Sequence, residues 1–508
     1  MSTTSRRQFL GRVGSGVGLA ALGFAFADRL GIASALTKVR GGRLEFGRLD
    51  PLVDLMQETP AERLMPLLVQ RLRSGTSLKD LLAAGALANA RALGGTDYDG
   101  YHALMALMPS FEMAEQMQAP MPYAALPVLK VLHRNARFIQ EKGRGSADAL
   151  EPLDEGADGG GLVLGVRALD LAQAERGLAV LEESSRARAY EELQTVVRDE
   201  MDVHRVVLAW RAYDLLRLTG EEQALTMLRQ SVRFCIDTDG SRARRGQQPD
   251  PIRTLLPRLM EEHGLERKER GTRHAGEDLI ENLADTFFAA DRPAAAARAA
   301  EFLAQGFDPE DVGAAISLAA TRLLLHDPGR KSEAPGKPVG SVHGASVGVH
   351  ASDAANAWRH IARTGSARNA FASLIAGAYH TAGQSGAVGA QPFDHDVEPC
   401  TEEDPAALRS AIEAHIRARD QVGACQAARR YVALRHPPES LFALLSGFAI
   451  SEDGALHAEK YFRTAQDEHS RARGGHQGLY LVALTRVMAS HFGFPAPGYD
   501  EARALLSS

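Results

Sequence analysis

Cysteine is nearly absent from this sequence: Cys235, Cys400 and Cys425 are the whole supply in 508 residues. Three thiols cannot build a disulfide framework. At most one pair forms, Cys400 with Cys425 being the best-placed candidate, and at least one thiol stays free. There is no Cys-x-x-Cys-His string for covalent haem, no phosphate-binding Gly-Lys-Ser/Thr loop and no His-Glu-x-x-His, which removes the usual nucleotide and zinc-protease readings. Aromatics are only 6% of residues, and the formal net charge is -6. A mildly acidic chain without a clustered cationic face argues against a nucleic-acid partner. The densest basic run, Ser241-Arg242-Ala243-Arg244-Arg245, sits among Gly, Asp and Gln and reads as a loop.

The first residues carry the clearest motif. Ser5-Arg6-Arg7-Gln8-Phe9-Leu10 has the paired arginines and following Phe-Leu of a twin-arginine signal, and an apolar, glycine-rich stretch from Val13 to Ala27 follows. That stretch is too short for an ordinary membrane span and matches the h-region of a signal peptide. Small residues offer two cleavage points, after Ala27 (27/28) and after Ala35 (35/36). Residues 1–35 are therefore expected to be an export signal read by the twin-arginine machinery, which carries folded proteins to the periplasm or beyond. No second apolar run approaches membrane length, so no span is expected after cleavage.

Residues 36–508 read as all-α, a large multi-helix array or bundle of stacked helix pairs. Pro60–Arg73, Ala168–Glu182, Tyr190–Met201, Leu279–Ala290, Ala294–Leu303, Asp311–Leu325 and Ala406–Ala418 repeat apolar residues at three and four. No alternating strand pattern stands out. Glu141–Gly161, Asp237–Pro251, Pro328–Gly344 and Gly383–Pro405 read as long connections, and a division into two lobes would fall near 328–344.

The chain holds 17 histidines. His274 shares a face with Glu277, Asp278, Glu281 and Asp285, but that face lies opposite Leu279, Ile280, Leu283 and Phe287, so it reads as a solvated acidic stripe. His102 is followed by Ala103 to Met108, apolar on every side, and is expected to be buried with a partner. His204 leads into Val206-Val207-Leu208-Ala209-Trp210, with Glu200 and Asp202 placed to orient its ring. Each of these two also reads as a core histidine satisfied by a carbonyl. His343 and His350 lie in a Gly-rich stretch expected to be a loop before a helix at Ala354–Arg363, with Ser352 or Asp353 as its N-cap. Ser346 lies in a Gly-x-Ser-x-Gly string, yet the strand and immediate helix of a nucleophile elbow are missing. His457 and Lys460 are three apart and share a helix face, Lys460 lying on the outer, solvent side of the pattern.

These islands resemble the questin oxidase-like proteins: the loop His350-Ala351-Ser352 with Ala357, the late Asp453 with His457-Ala458-Glu459-Lys460, and the earlier His102 and His204. The resemblance implies a non-haem iron oxygenase in which iron, a transition metal held mainly by histidines with a modified lysine as a further ligand, opens rings of polycyclic quinones. Carried onto this chain, it would make His102, His204, His350 and His457 ligands and Lys460 the lysine. The export signal and the second loop histidine, His343, depart from the pattern. Imidazoles suit iron, copper or zinc, and apolar walls would admit an apolar small-molecule substrate. If the site exists, His102, His204 and His350 must lie within about 10 Å of one another, because metal–nitrogen bonds are only about 2 Å long. The competing reading is a non-catalytic helical scaffold or binding protein of the cell envelope, which would leave the histidines scattered.

Overall fold

The computed structural model describes residues 42–93, 98–117, 123–142, 150, 160–335, 338–342, 346–395 and 397–508. The signal motif and His343 lie outside the described residues. The fold is all-α: 76% of it is helical, and no strand occurs among the described residues, only the isolated bridges Arg273↔Phe307 and Glu452↔Pro495. Among the described residues, no helix is long and apolar enough to cross a membrane. Cys235, Cys400 and Cys425 are all free thiols.

Helix boundaries follow local chemistry. Asp308-Pro309 and Asp404-Pro405 each pair an N-capping carboxylate with a proline whose missing N–H costs nothing in the first turn, and there begin Pro309–His326 and Pro405–Arg417. The other periodic segments become Ala61–Arg73, Leu171–Ser184, Arg186–Val197, Glu277–Ala289 and Arg292–Ala304. The carboxylates of Glu281 and Asp285 face outward to Arg322, and His274 is exposed, as the amphipathic pattern requires.

Two segments differ from expectation. The stretch read as a connection from Asp237 is helical as far as Arg244, the end of Ala224–Arg244. Partners hold it there: Asp239 pairs with the buried Arg205, and Arg242 Nε lies 3.0 Å from Glu200 Oε2. Arg242 and Arg244 also place positive charge at the helix's negative end. The second is the histidine loop. The helix expected at Ala354 begins at Val347, so His350, Ser352 and Asp353 are inside Val347–Thr364. Ser346 is its N-cap: the Ser346 Oγ accepts from the Val349 N–H and donates to Asp327 Oδ2 at 2.9 Å. A cap employed in this way is no nucleophile.

Buried apolar residues form two cores. One is built from residues 252–382; the other combines the earlier and later parts of the chain. The Val347–Thr364 helix supplies both, with Val349, Ala354, Ala357, Trp358 and Ile361 on one side and Ala351, Ala355 and Ala362 on the other. It approaches Pro309–His326 so closely that a Cβ on Gly348 would fall 2.1 Å from Leu324 Cα. Behind it the Trp358 Nε1–H donates to His380 Nδ1 at 3.3 Å, and burial, with the charge of Arg292, pushes His380 down to about 4.

Two outcomes are expected. Gly348→Ala should cost about 1–3 kcal/mol, the usual price of overpacking, read as a lower denaturant midpoint at unchanged m-value; an unchanged midpoint would contradict the backbone approach. His380 has a folded pKa below its unfolded value of about 6.5, so the unfolded chain takes up a proton there that the folded one refuses. Stability from this group is present above 6.5 and is lost as pH falls toward 4. Denaturant titrations at pH 7.5 and 5.0 should show a smaller acid loss for His380→Gln than for the parent.

Candidate functional site

Four segments bring one imidazole each to one place. His102 is in the second turn of Tyr98–Gln116, His204 and His350 are in the first turns of Val203–Asp214 and Val347–Thr364, and His457 is the first residue of His457–Arg471. Their ring centroids form a closed circuit: 4.7 Å from His102 to His204, 5.2 Å from His204 to His350, 5.0 Å from His350 to His457 and 5.3 Å from His457 back to His102. The Nε2 atoms of His102 and His204 lie 3.1 Å apart. His204 and His457 are buried; His102, expected to be fully enclosed, is half-buried, as is His350.

Carboxylates stand behind two of the rings. Asp202 caps the His204 helix, its Oδ1 accepting from the backbone N–H groups of His204 at 2.8 Å and Arg205 at 3.0 Å, and lies 3.6 Å from His204 Nδ1. Against a desolvation penalty that raises it, the imidazole of His204 and the charge of Arg205 hold the Asp202 carboxyl at about 2. Glu200, the other acid expected to orient His204, is occupied elsewhere: it lies 3.0 Å from Arg242 and accepts the Asp250 N–H at 3.0 Å. Asp353 was read as an N-cap. It is instead a buried interior residue whose Oδ2 is 3.9 Å from His457 Nδ1 and whose Oδ1 accepts from Thr464 Oγ1–H at 2.9 Å. Its spacing of three from His350 was the available signal.

Lys460, which the periodic pattern placed toward solvent, is only 2% exposed. Its own helix turns it inward, because the apolar face of His457–Arg471 is widened by Glu459, Thr464, Asp467 and Glu468, which are also buried against polar partners. Burial pushes the Lys460 amine down to about 8, with the Asp353 carboxylate opposing the shift and Arg211 adding to it. Burial raises the Asp353 carboxyl, and Lys460 works against that. Burial likewise drives His457 well below the ordinary imidazole range, reinforced by Lys460 and by the other three rings.

His457 leaves an unusual backbone. Gly454, Ala455 and Leu456 are consecutively left-handed, at φ 49°, 51° and 63°. Such a conformation costs an L-residue with a side chain about 1–2 kcal/mol, so neighbours must hold it in place. Asp453 N–H donates to Phe494 O and Ala496 N–H to Ser451 O, each at 2.8 Å. Gly454 must lack a side chain, since a Cβ would come within 2.8 Å of His491 Nδ1.

An ion bound by imidazole nitrogens at about 2.1 Å sits about 3.2 Å from each ring centroid, which puts ligands 90–109° apart at centroid separations of about 4.5–5.2 Å. The observed circuit spans 4.7 to 5.3 Å, a ring spacing of the size that such an ion needs. The rings converge as rings: among the described residues no group of three or more His, Cys, Asp or Glu side chains has its donor atoms arranged to hold a metal ion. A separate cavity of about 260 Å³ lies where Pro309–His326 meets the last turns of Val347–Thr364 and the end of His457–Arg471, lined by Arg359, Arg363, Arg471 and Arg473 together with Glu310 and Asp311. Its charges are matched among themselves and their neighbours, Arg359 with Glu468, Arg363 with Glu310 and Arg473 with Asp311. No family model matches the chain, and neither the curated proteins nor the solved structures contain a match to it.

Proposed function

We propose that the protein is a metal-dependent oxidoreductase of the non-haem iron type, acting on an apolar, aromatic substrate. The observation that carries this reading is the closed circuit of imidazoles from His102, His204, His350 and His457. Together with the questin oxidase-like resemblance of the same residues, it favours iron as the occupant, since neutral imidazoles prefer such ions to magnesium or calcium. Iron bound there would supply the redox chemistry with dioxygen that oxidative ring opening requires.

The chain's own groups have definable parts in this. With Asp202 beside Nδ1 of His204 and Asp353 nearest Nδ1 of His457, the Nε2 atoms of both rings are left to face the centre. His102 and His350 complete the set. The low basicity of His457 keeps it neutral and its lone pair available. Lys460 is the lysine that the resemblance implies as a further, modified ligand; an amine held at about 8 is far easier to deprotonate than an exposed one. Met105, Leu208 and Val349, on the same helices as His102, His204 and His350, are fully buried, and apolar surroundings of this kind favour an apolar substrate.

Metal analysis tests the reading. Protein expressed with iron should carry about one transition-metal ion per chain; absence of stoichiometric metal would sink the proposal. His457→Ala should lower metal content by at least about tenfold, while His274→Ala, at an exposed position, should leave it unchanged.

We further propose that residues 1–35 direct export of the folded chain to the periplasm through the twin-arginine machinery, on the strength of Arg6-Arg7 and the short apolar run behind them. Replacing both arginines by lysine should hold the protein in the cytoplasm in a fractionation blot, and undiminished export of that variant would refute the assignment.

A further inference from the structure

Lys130 is 0% exposed, as is Glu459. A lysine ammonium without solvent is costly unless each of its three N–H bonds has an acceptor. Here all three do. Nζ donates to Ala449 O at 3.0 Å, to Glu452 O at 2.7 Å, and forms an ion pair with the Glu459 carboxylate. The three acceptors come from a single short stretch of chain. Ala449 is in the last turn of Pro438–Ser451, where carbonyls lack helical partners; Glu452 is just past its end; Glu459 is in the first turn of the next helix, where a carboxylate is favoured. Between Glu452 and Glu459 lies the left-handed turn Gly454-Ala455-Leu456, followed directly by His457. Lys130 itself belongs to Leu126–Lys142, an element that contributes no imidazole to the circuit.

We propose that Lys130 is a positioning residue for the histidine centre: one buried ammonium ties the end of one helix to the start of the next and so holds the turn that sets the His457 ring in place. This rests on the proposed metal site for its functional meaning. The clamp itself rests only on the contacts of Lys130. It does not touch the imidazoles, and no proton moves through it.

Removing Lys130 alone would strand the Glu459 carboxylate, so the test removes both charges. A buried ion pair replaced by apolar residues of similar size is often tolerated. Lys130→Met/Glu459→Leu is compared with the parent in the full chain by circular dichroism, by amide hydrogen exchange of peptides covering 452–457, and by titration of metal-free protein with cobalt(II). The double variant should keep its helical spectrum, exchange the 452–457 amides at least about tenfold faster, and bind cobalt about 10–100-fold more weakly. Helix Val203–Asp214, which carries His204, should keep its parental exchange. If that variant fails to fold, Lys130→Gln/Glu459→Gln, which fills the same space with neutral polar groups, is read on the same scales. Parental exchange at 452–457 in a folded variant overturns the clamp. Faster exchange with parental cobalt affinity overturns its role in placing His457. If the parent binds no cobalt while exchange still rises, the metal reading fails and the clamp stands.

Discussion

Burying charge is the constraint on which the rest of this structure depends. Lys130, Glu459, Lys460, Asp353, Asp467 and Glu468 are all withdrawn from water within the interface that His457–Arg471 makes with its neighbours. Each would be prohibitive alone, and each has an opposite charge or a set of hydrogen bonds at hand. Asp353 has Thr464 and the charge of Lys460; Asp467 receives the Asn356 amide at 2.9 Å and Arg471 Nε at 2.8 Å; Glu468 pairs with Arg359. A surface with so many internal obligations can dock in only one register. That register places the first turns of Val347–Thr364 and His457–Arg471, with His350 and His457, against His102 and His204.

The helix-forming segments were legible because amphipathic periodicity is local. So was the inward bias of His102 and His204, which follows from the apolar residues after them. Lys460 was not legible. Its burial depends on Asp353 and on the polar residues Glu459, Thr464, Asp467 and Glu468, and hydrophobic periodicity counts polar residues as solvent-facing however well they are paired inside. The start of the His350 helix was misplaced for a related reason. Gly348 looks like a loop residue in sequence, yet it is a helical residue at a position where Leu324 leaves no space for a side chain. Asp239 and Arg242 gave the same false signal, since their partners Arg205 and Glu200 are remote in sequence.

Residue identity nominated the four imidazoles, and only the packing of helices brings them together. A scaffold with scattered histidines would have served the helical texture equally well. Three of the four rings sit in the first turns of their helices, and the ring separations are about 5 Å. At a helix start, the capping residue or the preceding turn aims the side chain, so Asp202, Ser346 and the left-handed turn before His457 share the task of orientation.

The circuit draws on positions 102, 204, 350 and 457, which are spread over more than two thirds of the chain. No fragment shorter than residues 102–457 contains it, and no early stage of synthesis can display it. Each of its contacts joins residues more than 100 positions apart in sequence, so each closes a long loop of chain and carries the entropic cost of doing so. Its presence therefore reports that the four helices carrying the rings have reached their final arrangement, and a chain halted before His457 is in place would hold at most three of the rings.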